Sequence, residues 1–268
     1  MNNLDYQPQV GLLVTCLVDL FRPQVGLATV KLLEQANCQV KVPLTQTCCG
    51  QPAYNSGDWQ NAKVLAKQVI NTFANYDYLV APSGSCIAML KNHYPKLFQD
   101  DVEWRGKAEA LAKRCYELSS FLTTIGGIKT NDAHLAVTIT YHDSCMGLRE
   151  LGIRAQPRQL LQTVKGLNLV EMNETNGCCG FGGTFCVKYP SLSTRLVADK
   201  VNHIQATGAP MLVGGDMGCL LNIAGYLKRL NSSIKVYHLA EVLVAMTTEA
   251  KAIGEGEITD SSSCQLPG

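Results

Sequence analysis

Most of what would place this sequence in a familiar class is missing from it. Its 23 Lys and Arg are balanced by 22 Asp and Glu, a net charge of +1 over 268 residues with the signs interspersed. Such a chain carries no electrostatic footprint for nucleic acid or for an anionic membrane surface, and neither is expected as a partner. No apolar stretch approaches the roughly 18 residues that a membrane span requires. Met1-Asn2-Asn3-Leu4-Asp5 has no basic region, and the apolar run from Val10 to Val14 is too short for the core of a secretory signal. No Ser-His-Asp order, H-E-x-x-H or P-loop is present, nor a flavin or nicotinamide fingerprint, nor a C-x₂-C-x₂-C-x₃-C-P ferredoxin run.

What the chain has is cysteine, 12 in all. A chain of this length does not need disulfide stapling, and without a secretory signal a reducing cytoplasm is the expected compartment. There, clustered thiols are read first as metal or redox ligands. Cys48-Cys49-Gly50 returns as Cys178-Cys179-Gly180; chance alone would give about 0.04 such tripeptides, so internal duplication is the better explanation. Flanking thiols follow suit. Cys16 stands ahead of Cys48 at almost the interval that separates Cys145 from Cys178, while Cys86 and Cys219 complete two sets of four. The offset between halves grows from 129 at the first Cys to 130 at the pair and 133 at the last, as small loop insertions in a duplicated domain would produce.

The thiols also follow apolar runs. Val10 to Thr15 ends at Cys16, Val40 to Val42 leads to Cys48-Cys49, and Tyr78 to Ala81 leads to Cys86. Continuous short apolar runs are the pattern of buried parallel strands. In open α/β sheets, ligands bind at the loops beyond the carboxyl ends of the strands. Asp58 is the expected cap of a helix through Ala62, Leu65, Val69, Ile70 and Phe73. The second half repeats the order, with strands expected over Leu135–Tyr141, Asn168–Glu171, Met211–Val213 and Lys235–Tyr237, a helix over Ser191–Thr207 and a last helix over Leu239–Met246. The fold class is therefore α/β: two homologous lobes with short parallel sheets flanked by helices and cysteine sites at the carboxyl-end loops. The first lobe is expected over 8–130, with a bridging helical insert from about Lys91 to Asp132, and the second over 131–246. A Gly-, Glu- and Ser-rich disordered tail over 247–268 contains Cys264, with no role.

Thiolates are soft ligands that suit iron–sulfur clusters, zinc or Cu(I), and four per site suits a cluster or a tetrahedral ion. Adjacent Cys side chains sit more comfortably on different irons than on one ion, which favours iron–sulfur and leaves zinc open in one site. Cys38, Cys115 and Cys186 have no counterpart in the other half and are read as small buried hydrophobes, Cys186 being the one to watch because it follows so soon after Cys179. Asp19 and Arg22 are expected to pair with each other. His142 and Asp143, just before Cys145, are read as tuning the second site or serving as structural hydrogen-bonding groups.

Cys16, Cys48-Cys49-Gly50 and Cys86, echoed by Cys145, Cys178-Cys179-Gly180 and Cys219, resemble the duplicated cysteine-rich (CCG) domain of the heterodisulfide reductases and of the iron–sulfur subunit of glycolate oxidase. Three stretches, Val14 to Asp19, Cys48 to Gly57 and Cys178 to Phe185, bring the chain nearer to the lactate utilisation protein A family over about residues 8 to 246. The resemblance implies an iron–sulfur oxidoreductase subunit, inactive alone, in a system that oxidises L-lactate to pyruvate. Its electrons would pass to a ferredoxin-like iron–sulfur subunit and a third subunit. It implies one cluster per lobe, [4Fe-4S], held by Cys16, Cys48, Cys49 and Cys86 and by Cys145, Cys178, Cys179 and Cys219. Full CCG domains end in C-x₂-C, whereas here Ser83 and Asp216 stand three before Cys86 and Cys219. The alternatives are a subunit that reduces disulfides or oxidises another 2-hydroxy acid, and a zinc-stabilised module without turnover.

Overall fold

A computed structural model describes residues 6–127, 133–248 and 250–255 of the chain. The first lobe begins with β1 (Gln9–Leu12), α1 (Cys16–Phe21), α2 (Pro23–Gln35) and β2 (Gln39–Lys41). It continues through α3 (Gln51–Asn55), α4 (Trp59–Thr72), β3 (Tyr78–Ala81) and α5 (Gly84–Ala88). A π-helical turn over Met89–His93 leads to α6 (Tyr94–Leu97), α7 (Val102–Ala112), β4 (Cys115–Glu117) and α8 (Leu118–Thr124). As expected, Asp58 caps α4, accepting from the Asn61 N–H at 3.2 Å.

The second lobe runs β5 (Thr138–His142), α9 (Cys145–Leu151), α10 (Ala155–Leu161) and β6 (Asn168–Leu169). Then come α11 (Phe185–Lys188), α12 (Pro190–Ala206), β7 (Met211–Gly214), α13 (Met217–Arg229), β8 (Lys235–His238) and α14 (Leu239–Leu243). The sheets are wholly parallel, with strand orders β2-β1-β3-β4 and β6-β5-β7-β8. In both, the order reverses between the first and third strands of the lobe, and that crevice is where such sheets bind ligands.

The duplication extends to the strand register. Val10 pairs with Val40 and Tyr78, and in the second sheet Ile139 pairs in the same way with Leu169 and Met211. Val10 and Ile139 are offset as the first thiols are, Tyr78 and Met211 as the last thiols are. Beyond them the lobes part. Leu79 pairs with Cys115 and Leu212 with Val236, so the offset shrinks and the first lobe's last crossover is the longer of the two.

Two expectations need correction here. The stretch from Lys91 is not a wholly helical insert, because Cys115–Glu117 is the fourth strand of the first sheet. So short a strand cannot show a period of two, and flanking helical periodicity hides it. The chain after Thr247 is not a tail from its start: Ala252 and Ile253 are buried and the Ile253 N–H donates to Val236 O at 2.9 Å, covering the open edge of β8. Cys264 lies outside the described residues.

The lobes share one core. Val10, Leu12 and Val80 of the first sheet belong to the same buried cluster as Ile139, Leu212 and Val236 of the second, while Leu13, Leu79 and Ala81 face a cluster on the outer side of the first sheet. Across the boundary α14 packs on α2 and α8 packs on α10, two related contacts with the lobes exchanged. Arg22 does not pair with Asp19; its Nε donates to Glu241 of the other lobe at 2.9 Å, with the Glu241 side chain fully buried. Burial raises the Glu241 carboxyl, and the Arg22 guanidinium opposes that rise. Arg22→Ala is therefore expected to destabilise the fold by about 3–5 kcal/mol, the cost of leaving a buried charge unpaired. A carboxyl whose pKa is raised on folding binds its proton more tightly in the native state, so this deficit should shrink as pH falls through the carboxylate range. Denaturant unfolding at several pH values checks both size and direction, and a pH-independent deficit would refute the pairing.

Candidate metal centres

The four thiols of each lobe come together at the carboxyl edge of its sheet. Cys16 is the first residue of α1, after β1, and Cys86 is the third of α5, after β3. Between them the loop after β2 brings in Cys48 and Cys49, and Gly50, at φ 79°, turns the chain into α3. Only glycine adopts that conformation without strain. The Cys16 and Cys48 sulfurs are 3.7 Å apart. Cys49 is buried beneath them, its carbonyl accepting from the Tyr94 hydroxyl at 2.9 Å.

In the second lobe Cys145 opens α9, Cys219 is the third residue of α13, and Cys178-Cys179 sit in the loop after β6. Gly180, at φ 81°, has no room for a side chain: a Cβ there would lie 2.5 Å from Ser193 O. The buried Cys179 is held by the same device as Cys49, its carbonyl accepting from Asn222 Nδ2 at 2.8 Å. Helix amino ends point positive charge at all four loops that follow β1, β3, β5 and β7, which favours thiolate.

In each lobe one thiol takes the anionic role. Hydrogen bonds from Cys16 and then Cys49 lower the Cys48 thiol, and hydrogen bonds from Cys145 and then Cys179 lower Cys178, with the Gly180 N–H also donating to its sulfur at 3.3 Å. The donors Cys16, Cys49, Cys145 and Cys179 are held correspondingly high. Four soft sulfur donors from three loops match the Cys₄ donor set of an iron–sulfur cluster, and equally that of tetrahedral zinc.

The positions where a fifth Cys is lacking meet each other. Ser83 Oγ donates to Asp216 Oδ2 at 3.1 Å, the Ser85 N–H donates to the same oxygen at 3.0 Å, and both the Ser83 and Asp216 side chains are buried. Ser83 also accepts from the Cys86 N–H at 3.2 Å, capping α5. Asp216 makes no such bond to its own helix and caps the helix of the other lobe instead.

Of the remaining residues singled out, Asp143 is taken up by structure: Arg158 donates to both its oxygens, at 2.9 and 2.8 Å, and pairs with Glu171. The His142 ring joins Cys179 and Cys219, their ligating atoms all within 4.8 Å of one another. Cys38 and Cys115 are buried away from the sets, with burial pushing Cys115 up to about 12. The Cys186 sulfur lies 3.4 Å from Gly183 O, the acceptor for its thiol.

Two further features have no signal in the sequence. Lys200 is fully buried below the second set, donating to Glu174 O at 2.9 Å and Thr175 O at 3.3 Å, and so pins the loop ahead of Cys178. A cleft of about 420 Å³, lined by Thr15, Asp19, Leu20, Leu44 and Thr47 among others, opens on Cys16 and Cys48. Neither leaves a periodicity or spacing that residue order could show.

The family model for the cysteine-rich domain CCG matches this chain twice, over residues 10–91 and 139–224. The chain is 50% identical over 88% of its length to "Lactate utilization protein A" of Geobacillus sp. (strain WCH70), of which it covers 98%. It is 49% identical, again over 88%, to the protein of the same name from Bacillus subtilis (strain 168), of which it covers 98%. A crystal structure of a hypothetical protein from Helicobacter pylori superposes with a TM-score of 0.65 at 10% identity, over 94% of this chain and 50% of that one. That likeness concerns the fold alone. In metal-free protein, thiolates at Cys48 and Cys178 are expected to keep their ultraviolet absorbance to lower pH than ordinary thiols do, since a depressed thiol stays ionised until pH falls towards its lowered pKa. Cys48→Ser and Cys178→Ser should each remove one, and absorbance no greater than that of the unfolded chain would refute the assignment.

Proposed function

The chain belongs to the lactate utilization protein A family, and from that membership we propose that it is the iron–sulfur subunit of an L-lactate oxidising system, converting lactate to pyruvate in the cytoplasm with partner subunits. The observation that carries this reading is the recurrence, in each lobe, of four thiols from three strand-end loops. Cys16, Cys48, Cys49 and Cys86 would hold one [4Fe-4S] cluster, and Cys145, Cys178, Cys179 and Cys219 another. Such a cluster, when bound, supplies one-electron transfer.

The chain's own residues do the rest. Burial of Cys49, Cys86, Cys179 and Cys219 keeps water from one side of each site, while the partly exposed Cys16, Cys48, Cys145 and Cys178 form the side a partner would approach. Around the first site, the exposed Leu20, Phe21 and Leu44 give an apolar rim for a ferredoxin-like iron–sulfur subunit. Lactate gives up two electrons, and no flavin or nicotinamide fingerprint is readable in the sequence, so a third subunit is assigned the first step. A second reading, tetrahedral zinc in place of a cluster, shares the same four-thiol donor set. Iron, sulfide and zinc analysis of anaerobically purified protein separates the two.

Two outcomes are expected. Cys49→Ser and Cys179→Ser each remove most of one lobe's metal, whereas Cys38→Ser leaves the count per chain unchanged; equal loss from all three would sink the ligand assignment. The isolated chain does not reduce dye with lactate, and activity appears only when the partner subunits are added back. Turnover by the chain alone at ordinary enzyme rates, about 1 to 10³ per second, would overturn the relay reading.

A further inference from the structure

Two histidines lie fully buried in the second lobe, and only one is satisfied. His238 caps α14, its Nδ1 accepting from the Ala240 N–H at 3.1 Å, and its Nε2 lies 3.1 Å from Pro82 O. His142, 1% exposed at the end of β5, has no hydrogen-bond partner for either ring nitrogen. A buried polar atom left unpaired has given up its hydration for nothing in return, so an orphaned buried imidazole calls for a partner that protein atoms do not supply. What stands within reach is the pair Cys179 and Cys219, their sulfurs and a ring nitrogen lying within 4.8 Å of one another. At the matching place in the first lobe, related to His142 as Val10 is to Ile139, stands Leu13, also buried.

We propose that His142 is a nitrogen ligand to the metal of the second lobe, beside Cys179 and Cys219, so that this lobe holds a mixed imidazole–thiolate site and the first lobe an all-thiolate one. The proposal rests on the reading that the thiols hold metal. The imidazole would take one of the four ligand positions of the second lobe, alongside three of the thiols Cys145, Cys178, Cys179 and Cys219. His142 arrives from the strand end, rather than from the loop just before Cys219. The neutral imidazole is the ligating form. A nitrogen in place of sulfur on iron raises the reduction potential, as the Rieske centres demonstrate, so the second site would be the better electron acceptor of the two.

The test uses the full chain, purified without oxygen and grown with ¹⁵N-labelled or unlabelled histidine. Pulsed EPR of the reduced iron protein, or of the Co²⁺-substituted protein if zinc is what it holds, should show a histidine nitrogen coupling that changes with the label. The coupling should disappear in His142→Leu, a side chain that the first lobe accommodates at the same place. Metal affinity of the second lobe, by chelator competition, should fall at least about tenfold in His142→Leu and recover in His142→Cys, which restores a ligand without nitrogen. A wild-type protein with metal in the second lobe but no histidine coupling, or a coupling unchanged in His142→Leu, overturns the proposal alone. If Cys179→Ser keeps its full metal complement, the proposal falls together with the reading beneath it.

Discussion

The Asp216 side chain is the joint on which both sites hang. A buried acidic group must find donors or cost the fold several kcal/mol, and among the described residues this one finds them in the other lobe, at Ser83 Oγ and the Ser85 N–H. It therefore fixes the amino end of α5 from outside, while its own backbone begins α13. Those two helices carry Cys86 and Cys219. The lobes cannot slide past each other without stripping Asp216 of its partners and moving a thiol in each set, so the two sites are positioned together rather than separately.

Around that joint the halves are alike in frame and unlike in filling. The shared register of β1, β2 and β3 with β5, β6 and β7, and the matching grips on the Cys49 and Cys179 carbonyls, keep the backbones of the two cradles equivalent. The surroundings differ. The first site opens on a cleft and backs onto Leu13; the second backs onto His142 and Lys200. Charge and access are the levers by which a protein tunes a metal site, and both have been moved in one lobe without disturbing the other.

Much of this is legible from residue order. A thiol in the segment that follows an apolar run, three times in each half, places the sites at the strand ends, and near-constant offsets give the pairing of the lobes. The contact between Ser83 and Asp216 is not legible, although both residues stand out as departures from the repeat, because nothing local says that equivalent positions will touch. Sequence proximity points Arg22 towards Asp19, whereas its partner is 219 residues distant. β4 escapes because it is short and flanked by helices, and the packed Ala252–Ile253 segment because its composition resembles the polar stretch after it. Local pattern reports local structure; contacts between lobes leave no period.

Ser83 and Asp216 hold equivalent positions in the two copies, so their contact lies on the approximate two-fold axis relating the lobes. In a dimer of identical chains the residue on such an axis meets itself. Serine would face serine, or two buried acids would face and repel each other. A donor opposite an acceptor is an arrangement that strict symmetry forbids and a single continuous chain permits. If the ancestor of this protein was a symmetric dimer, fusing its halves did more than tether them: it gave each position on the axis two independent fates, and the Ser83–Asp216 hydrogen bond could form only after the two copies had become free to differ.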